Sequence, residues 1–234
     1  MRAAAVEGRR MPRGLRELNA VITILWREIF VALKTPSRIV MALVWPVIML
    51  GMFGSQLSQN MGVYMDFDFN NFMLVGMLVN GLFMMTMMGV TTLVEDRQTS
   101  FTQEILVAPV SRFSIILGKI TGASLISYLM FFSTIIIGFI TGARIGVRDV
   151  LALLAVSPLI CLAAGSLGVF LVSFLHKSSA ANFAVMFLSM GQMFLSGALV
   201  PVNHSTGFMA VLSRALPMTY CIDFARGVFY QNQG

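Results

Sequence analysis

Few residues in this sequence have the types and spacing that catalysis or metal binding requires. The two cysteines, Cys161 and Cys221, are far apart, and the two histidines, His176 and His204, are each solitary. No cluster of His, Cys, Asp or Glu has metal-ligand spacing, and no nucleophile or pair of carboxylates lies within the long apolar segments. The pattern therefore argues against an enzyme, and it predicts no catalytic, metal-binding or cofactor-binding residue in this chain.

The composition indicates a protein that is embedded in lipid. Of its 234 residues, 57% are hydrophobic and only 11% are charged, against roughly 25% charged in an average soluble domain. The net charge is +6, but eight of the sixteen basic residues precede residue 39 and the others are scattered. This distribution does not form a basic binding surface, so nucleic acid is not predicted as a partner.

Five windows without charge are long enough for a helix to cross a membrane. A hydrocarbon core of about 30 Å requires ~20 mostly apolar residues, and backbone groups in lipid must bond within the segment, which favours helices over strands. We therefore predict an all-α, polytopic membrane helical bundle with five spans, at residues 39–56, 72–94, 120–140, 150–175 and 182–200.

The distribution of Lys and Arg predicts a cytoplasmic N-terminus. In this orientation twelve basic residues lie on the inner side of the membrane and four on the outer side, as the positive-inside rule requires. The first residues contain many arginines but no compact apolar core with a cleavage site, which argues against a cleaved signal peptide. We expect a multi-pass protein of the cytoplasmic membrane.

An amphipathic helix is predicted at residues 15–34. Apolar residues recur at steps of three and four along one face, and charged residues, including Arg27 and Glu28, fall mostly on the other face. Such a helix lies along a membrane interface, and Trp26 suits the depth of the headgroups. We favour this interfacial position over a soluble helix packed on a partner. Residues 1–35 thus form a cytoplasmic tail and an amphipathic connecting helix.

The charged loop between the second and third spans is the strongest candidate for contact with a soluble partner. Residues 100–103 have the S-x-x-Q form of a helix capping box, and a proline ends the short helix of about two turns, ~12 Å, that follows. The residues that we assign to this contact are Ser100, Phe101, Glu104, Ile105, Leu106 and Pro109. The pattern is equally compatible with a plain connecting loop.

An external segment follows the fifth span. Apolar residues on both sides of Pro217 predict two short helices that dip into the outer leaflet, because Asp223 and Arg226 interrupt any further span. These two charged residues are three apart, on one helical face, and their spacing allows an ion pair.

Polar residues within the predicted spans are few. Asn80 and Gln192 lie in mid-span, where an amide usually faces another helix or a path through the protein and not lipid. We favour bonding between helices over contact with a substrate. The methionines at 84–88 would suit a permissive apolar site, although packing or contact with lipid is the preferred interpretation.

Two parts of the sequence resemble the type-2 ABC transporter permeases. The coupling-helix region of that family is similar to residues 95–112 (EDRQTSFTQEILVAPVSR) and 116–119 (ILGK). Its fifth helix and external re-entrant region are similar to residues 194–201 (FLSGALVP), 216–220 (LPMTY) and 223–226 (DFAR). The amphipathic helix corresponds to the connecting helix of the family, so the resemblance covers nearly the whole chain.

The resemblance implies the transmembrane permease subunit of an ATP-driven ABC exporter. Two halves, either two copies or two different subunits, would surround a path for a hydrophobic or amphipathic substrate such as a drug, lipid or glycan. Residues 36–234 would form the transmembrane domain, and residues 100–109 would dock on the ATPase. The residues near the external gate would be Pro201, Tyr220, Asp223 and Arg226.

ATP and magnesium are expected on a separate ATP-binding subunit. Gly118 and Lys119 are followed by Ile120, and Phe113 stands where the first glycine of G-x-x-x-x-G-K-[ST] is required. The family also has a sixth span, so we expect this chain to be incomplete at its C-terminus, and we favour this over a protein that ends outside the membrane with five spans.

Two other functions stay open on sequence grounds. An ion-coupled secondary transporter commonly places a charged residue inside the bilayer, and none of the five uncharged windows contains one. A membrane anchor or assembly subunit without a transport role is the second alternative.

Overall fold

The computed structural model describes residues 13–54, 56, 69–98, 111–143, 145–199 and 208–231, and these parts contain helices and no strand. The helices are α1 (Arg13–Leu33), α2 (Pro36–Pro46), α3 (Phe69–Val90), α4 (Thr92–Gln98), α5 (Arg112–Ile140), α6 (Val147–Ser173), α7 (Ser178–Leu195), α8 (Phe208–Ala215) and α9 (Pro217–Gln231). A π-helical segment, Val47–Gly54, continues α2. The predicted all-α class is confirmed for these residues.

Three helical segments are long and apolar enough to cross a membrane: Phe69–Gln98, Arg112–Ile140 and Val147–Ser173. They correspond to the second, third and fourth predicted spans. The first predicted span falls on a shorter apolar helix, Ile39–Gly54, and the fifth falls on the 18-residue helix α7. Three of the five predicted spans therefore coincide with helices of sufficient length and apolarity, and the count of five spans stays a prediction.

Helix α3 is the centre of the bundle. In its most apolar 18-residue window, 89% of the residues are buried, compared with 44% in the corresponding window of α5 and 39% in that of α6. Helix α3 packs against α5, α6, α7 and α9. The sequence of α3 is apolar around its whole circumference, which is the pattern of a helix surrounded by others. Between apolar helices in lipid, close packing stabilises the contact, and the fully buried side chains of Leu74, Leu82 and Phe83 provide it.

Helix α1 lies against the N-terminal half of α5. Two small residues, Gly118 and Gly122, one turn apart on α5, allow the two backbones to approach closely. A Cβ atom on Gly118 would lie 3.0 Å from Cβ of Ile24, and one on Gly122 would lie 2.6 Å from Cβ of Glu28. The second distance is shorter than real Cβ contacts, so Gly122 sets the separation of the two helices.

The apolar stripe of α1 faces away from the bundle. Its large side chains are 44–65% exposed, and they are Leu15, Leu18, Ile22, Trp26, Phe30 and Leu33. The opposite face of α1 carries Glu17, Arg27 and Glu28, which contact α4 and the first part of α5 with its N-cap. This is the arrangement expected of a helix whose apolar side meets a membrane interface, and the interfacial position itself stays a prediction.

The two helices predicted around Pro217 are present as α8 and α9, which follow one another on either side of Leu216. Helix α9 packs against α3 and α6, and its residues Ile222, Ala225 and Phe229 are fully buried. Pro217 is the first residue of α9, a position where the missing N–H of proline costs no intrahelical hydrogen bond.

Candidate functional site: a buried charge cluster between three helices

Four charged side chains meet between α1, α4 and α5. The Nζ atom of Lys119 lies 2.6 Å from Oε1 of Glu28 and 2.5 Å from Oδ2 of Asp96. Arg27 donates hydrogen bonds to both carboxylate oxygens of Asp96, at 2.6 Å to Oδ1 and 3.1 Å to Oδ2. Lys119 also donates to the hydroxyl of Thr92, at 2.8 Å. We call Arg27, Glu28, Asp96 and Lys119 the charge cluster.

Three members of the charge cluster are shielded from solvent, and the cluster as a whole is balanced in charge. The side chains of Lys119 and Glu28 are 1% and 2% exposed, and Asp96 is 9% exposed, whereas Arg27 at the edge of the cluster is 32% exposed. Two cations face two carboxylates, so no net charge is buried, and pairing of this kind is the condition under which proteins bury ions. The hydrogen bonds with Asp96 raise the pKa of Arg27 above its ordinary value, although burial acts in the opposite direction.

A second polar contact joins the start of α1 to the start of α5. One carboxylate oxygen of Glu17 accepts a hydrogen bond from the backbone N–H of Ser111 at 3.1 Å, and the other accepts from the hydroxyl of Ser114 at 2.5 Å. Ser111 is the N-cap of α5, where its hydroxyl accepts from the backbone N–H of Ser114. Glu17 therefore bonds α1 to Ser111, the residue that precedes the first turn of α5.

Helix α1 thus contacts residues on both sides of the segment 99–110, which itself lies outside the described residues. Asp96 belongs to α4, which leads into this segment, and Ser111 directly follows it. The residues predicted to contact an ATPase, Ser100, Phe101, Glu104, Ile105, Leu106 and Pro109, all lie within the segment, so their arrangement stays a prediction. Pro201 of the predicted external gate also lies outside the described residues.

Helix α4 is bonded on its other side to the turn between α6 and α7. Ser178 donates to Oε1 of Glu95 at 3.1 Å, and the side-chain amide of Gln98 donates to the carbonyl of His176 at 3.2 Å. Because the charge cluster bonds the same short helix to α1 and α5, α4 is connected to three neighbouring parts of the bundle.

Asn80 on α3 and Gln192 on α7 are both deeply buried, at 2% and 1% exposed. The Nδ2 atom of Asn80 lies 3.9 Å from the sulfur of Met218, a weak acceptor, and its Oδ1 has no hydrogen-bond partner among the described residues. Neither amide atom of Gln192 has a partner there. The structure therefore shows only one weak bond where sequence analysis favoured bonding between helices.

A cavity of about 320 Å³ lies beside Asn80, between α2, α3 and α7. Seven methionines line it, namely Met41, Met84, Met85, Met88, Met186, Met190 and Met193. Asn80, Trp45 and Ser189 are among its lining residues. Oδ1 of Asn80, Nε1 of Trp45 and Oγ of Ser189 have no hydrogen-bond partner among the described residues. Of the methionines at 84–88, Met84, Met85 and Met88 line this cavity, whereas Met87 is packed in the core.

Arg226 on α9 has contacts that its sequence position did not predict. Its guanidinium lies 3.5 Å from the ring centroid of Phe72 and donates to the carbonyl of Gly197 at 2.9 Å. The ion pair with Asp223 is not among the salt bridges of the described residues, and Asp223 is exposed. Burial lowers the pKa of Arg226 to about 10, so the side chain is charged at neutral pH. Tyr220, another predicted gate residue, is exposed.

Sequence analysis missed the charge cluster because its members come from three separate segments. Glu28 was assigned to the polar face of the connecting helix, and Asp96 and Lys119 were assigned to opposite ends of the loop between the second and third spans. One feature of the sequence could have predicted the cluster. A charge near lipid is costly, so charges of opposite sign near the same ends of consecutive spans are expected to pair.

The chain is similar to known membrane transport proteins. A family model described as "ABC-2 type transporter" matches residues 19–230. The protein described as "Putative transport permease ycf38" from Cyanophora paradoxa is 23% identical over 211 residues, which cover 88% of this chain and 73% of that protein. No solved structure matches the chain.

Proposed function

This chain belongs to the ABC-2 type transporter family, and we propose that it is the membrane permease subunit of an ATP-driven exporter. Family membership makes it a multi-pass transport permease. The proposal adds a separate ABC ATPase that carries ATP and magnesium, a cytoplasmic N-terminus in the cell membrane, and a second permease half, either identical or different. It also adds outward transport of a hydrophobic or amphipathic substrate.

The observation that carries this proposal is the attachment of both ends of the segment 99–110. A soluble ATPase can move spanning helices only if the part that it contacts is held firmly to them. Here α4 precedes the segment and α5 follows it, and both belong to segments long enough to span a membrane. Rigid-body motion of packed helices is a common way in which such force is transmitted.

The methionine-lined cavity supports an apolar or amphipathic substrate. Its volume of about 320 Å³ lies near the lower end of the range for small-molecule sites. Methionine side chains are flexible and polarisable, and they adapt to ligands of different shape. Oδ1 of Asn80 and Oγ of Ser189, which have no hydrogen-bond partner in the described part of the chain, would orient a substrate that carries one hydrogen-bonding group. We propose that this cavity lies on the transport path.

Co-purification tests the proposal. The affinity-tagged full-length chain is extracted from native membranes, and we expect an ABC ATPase to purify with it. ATP hydrolysis by the complex should fall at least about tenfold in Glu104→Ala and Leu106→Ala, because both changes remove predicted contacts with the ATPase. Gly191→Ala is the matched control, because a Cβ atom at residue 191 meets nothing within 4 Å.

Three outcomes would contradict the proposal. Transport that requires a proton gradient but no ATP would identify an ion-coupled carrier. A complex without any ATPase would favour an assembly subunit. Labelling of Leu106→Cys from the outer face of intact cells would place the segment on the wrong side of the membrane for contact with a cytoplasmic ATPase.

A further inference from the structure

We propose that α1 is a positioning clamp across the segment 99–110, and that the ion pair between Glu28 and Lys119 locks this clamp to the spanning helices. The clamp rests on the proposed function, because it acts on the segment that would receive force from an ATPase. Its residues touch neither ATP nor substrate, so they are positioning residues.

The first argument is the spacing of the two contacts on α1. Glu17 bonds to Ser111 and Ser114 after the segment, and Arg27 bonds to Asp96 before it. At 1.5 Å per residue, about 15 Å of helix separates Glu17 from Arg27. A helix is stiff over this length, so α1 fixes the distance between α4 and the start of α5.

The second argument is the nature of the lock. Burying an ion pair has a desolvation cost that apolar packing avoids, so such pairs are weak evidence for stability and are best attested as devices that set register. Lys119 lies between one carboxylate from α1 and one from α4, at 2.6 Å and 2.5 Å. A shift of α1 along α5 would break the first contact and leave Glu28 buried with only Arg27, 3.5 Å away, as a cationic partner. The cluster therefore favours a single register of α1 on α5.

The third argument is the separation of α1 and α5. A Cβ atom at residue 122 would lie 2.6 Å from Cβ of Glu28, so Gly122 brings the carboxylate of Glu28 within reach of Lys119. A larger residue at this position would displace α1 without changing any charge. The geometry thus offers two independent ways to disturb the clamp, one through charge and one through separation.

The test compares Glu28→Gln, Lys119→Met and the double variant in the permease–ATPase complex. Each single change leaves an unbalanced charge in the cluster, whereas the double variant is neutral and keeps the Arg27–Asp96 pair. The reporter is Met190→Cys in the cavity, in a background without Cys161 and Cys221. Its rate of reaction with a maleimide is measured with and without ATP, so no substrate needs to be known.

In the complex with the native cluster, we expect ATP to change the labelling rate at least about fivefold, a typical size for coupling between distant sites. In the double variant, ATP hydrolysis should continue while the labelling rate changes by less than about twofold. Gly122→Val should have the same effect as the double variant. The matched control is Thr86→Val, which removes a buried hydrogen bond of 2.8 Å to Ser127 that does not involve α1.

The possible failures are distinguishable. If ATP does not change labelling in the complex with the native cluster, the proposed ATP-driven function is overturned, and the clamp with it. If ATP changes labelling equally in the native and double-variant complexes, only the clamp is overturned. The clamp is also overturned if Thr86→Val abolishes the response as completely as the double variant does, because the effect would then follow from any weakened packing of α5.

Discussion

Lys119 and Glu28 form an ion pair of 2.6 Å in which both side chains are almost fully buried. Glu28 belongs to a helix whose apolar stripe faces outward, and Lys119 belongs to a helix that is long enough to span a membrane. The pair therefore joins a helix of interfacial character to the membrane bundle at a point that water does not reach.

Removal of the lysine charge should destabilise the protein strongly. In Lys119→Met, two carboxylates would remain buried with only Arg27 to balance them, so we expect the free energy of unfolding to fall by about 3–5 kcal/mol. The measurement is thermal unfolding of the purified protein in detergent. Thr86→Val, which loses one neutral hydrogen bond, should cost only about 1 kcal/mol. Equal losses in the two variants would show that the pair is not the source of the effect.

The sequence predicted the helices well because apolar segments have a strong periodic and compositional signal. The helices found at 69–98, 112–140 and 147–173 agree with three predicted spans to within a few residues at most ends. The N-terminal amphipathic helix and the two helices around Pro217 were also predicted. These features depend on local composition and spacing, which a single sequence records directly.

Packing between distant segments could not be predicted in the same way. The sequence placed the amides of Asn80 and Gln192 in mid-span. Whether these amides find hydrogen-bond partners among the described residues depends on the exact placement of α3, α7 and α9. Arg226 contacts Phe72 and Gly197, whereas the sequence suggested an ion pair with Asp223. This difference also depends on packing between distant segments. Three-residue spacing allows a pair on a helix surface, whereas burial of α9 turns Arg226 towards backbone carbonyls.

Gly76 should tolerate no side chain. A Cβ atom there would lie 2.2 Å from the carbonyl oxygen of Ala198, and this backbone atom cannot rotate away. We expect Gly76→Ala to cost about 1–3 kcal/mol of stability through overpacking, measured by thermal unfolding. Gly191→Ala, where nothing lies within 4 Å, should be neutral or gain up to about 1 kcal/mol from helix propensity. A stable Gly76→Ala variant would contradict the close contact between α3 and the turn after α7.

Gln192→Met should stabilise the isolated chain. Both amide atoms of Gln192 are buried without a hydrogen-bond partner among the described residues, and such groups cost about 1–3 kcal/mol each in lost hydration. Methionine has a similar shape and no strong polar atom, so we expect the midpoint of thermal unfolding to rise. Gln98→Met, on an exposed amide, is the control and should not raise the midpoint. A fall with Gln192→Met would show that its amide binds a group outside this chain, such as the second permease half.

Two substitutions in α9 test whether Arg226 is stabilised by its observed contacts or by an ion pair with Asp223, three residues earlier in the sequence. Arg226→Lys keeps the charge but loses the planar group that lies 3.5 Å from the Phe72 ring centroid, so we expect a loss of about 1–3 kcal/mol. Asp223→Asn should change stability by less than about 0.5 kcal/mol, because Asp223 is exposed. Both are measured by thermal unfolding, with Arg214→Lys as an exposed control on α8. If Asp223→Asn were as costly as Arg226→Lys, the ion pair would be the main contact of Arg226, and the packing of α9 against α3 described above would be wrong.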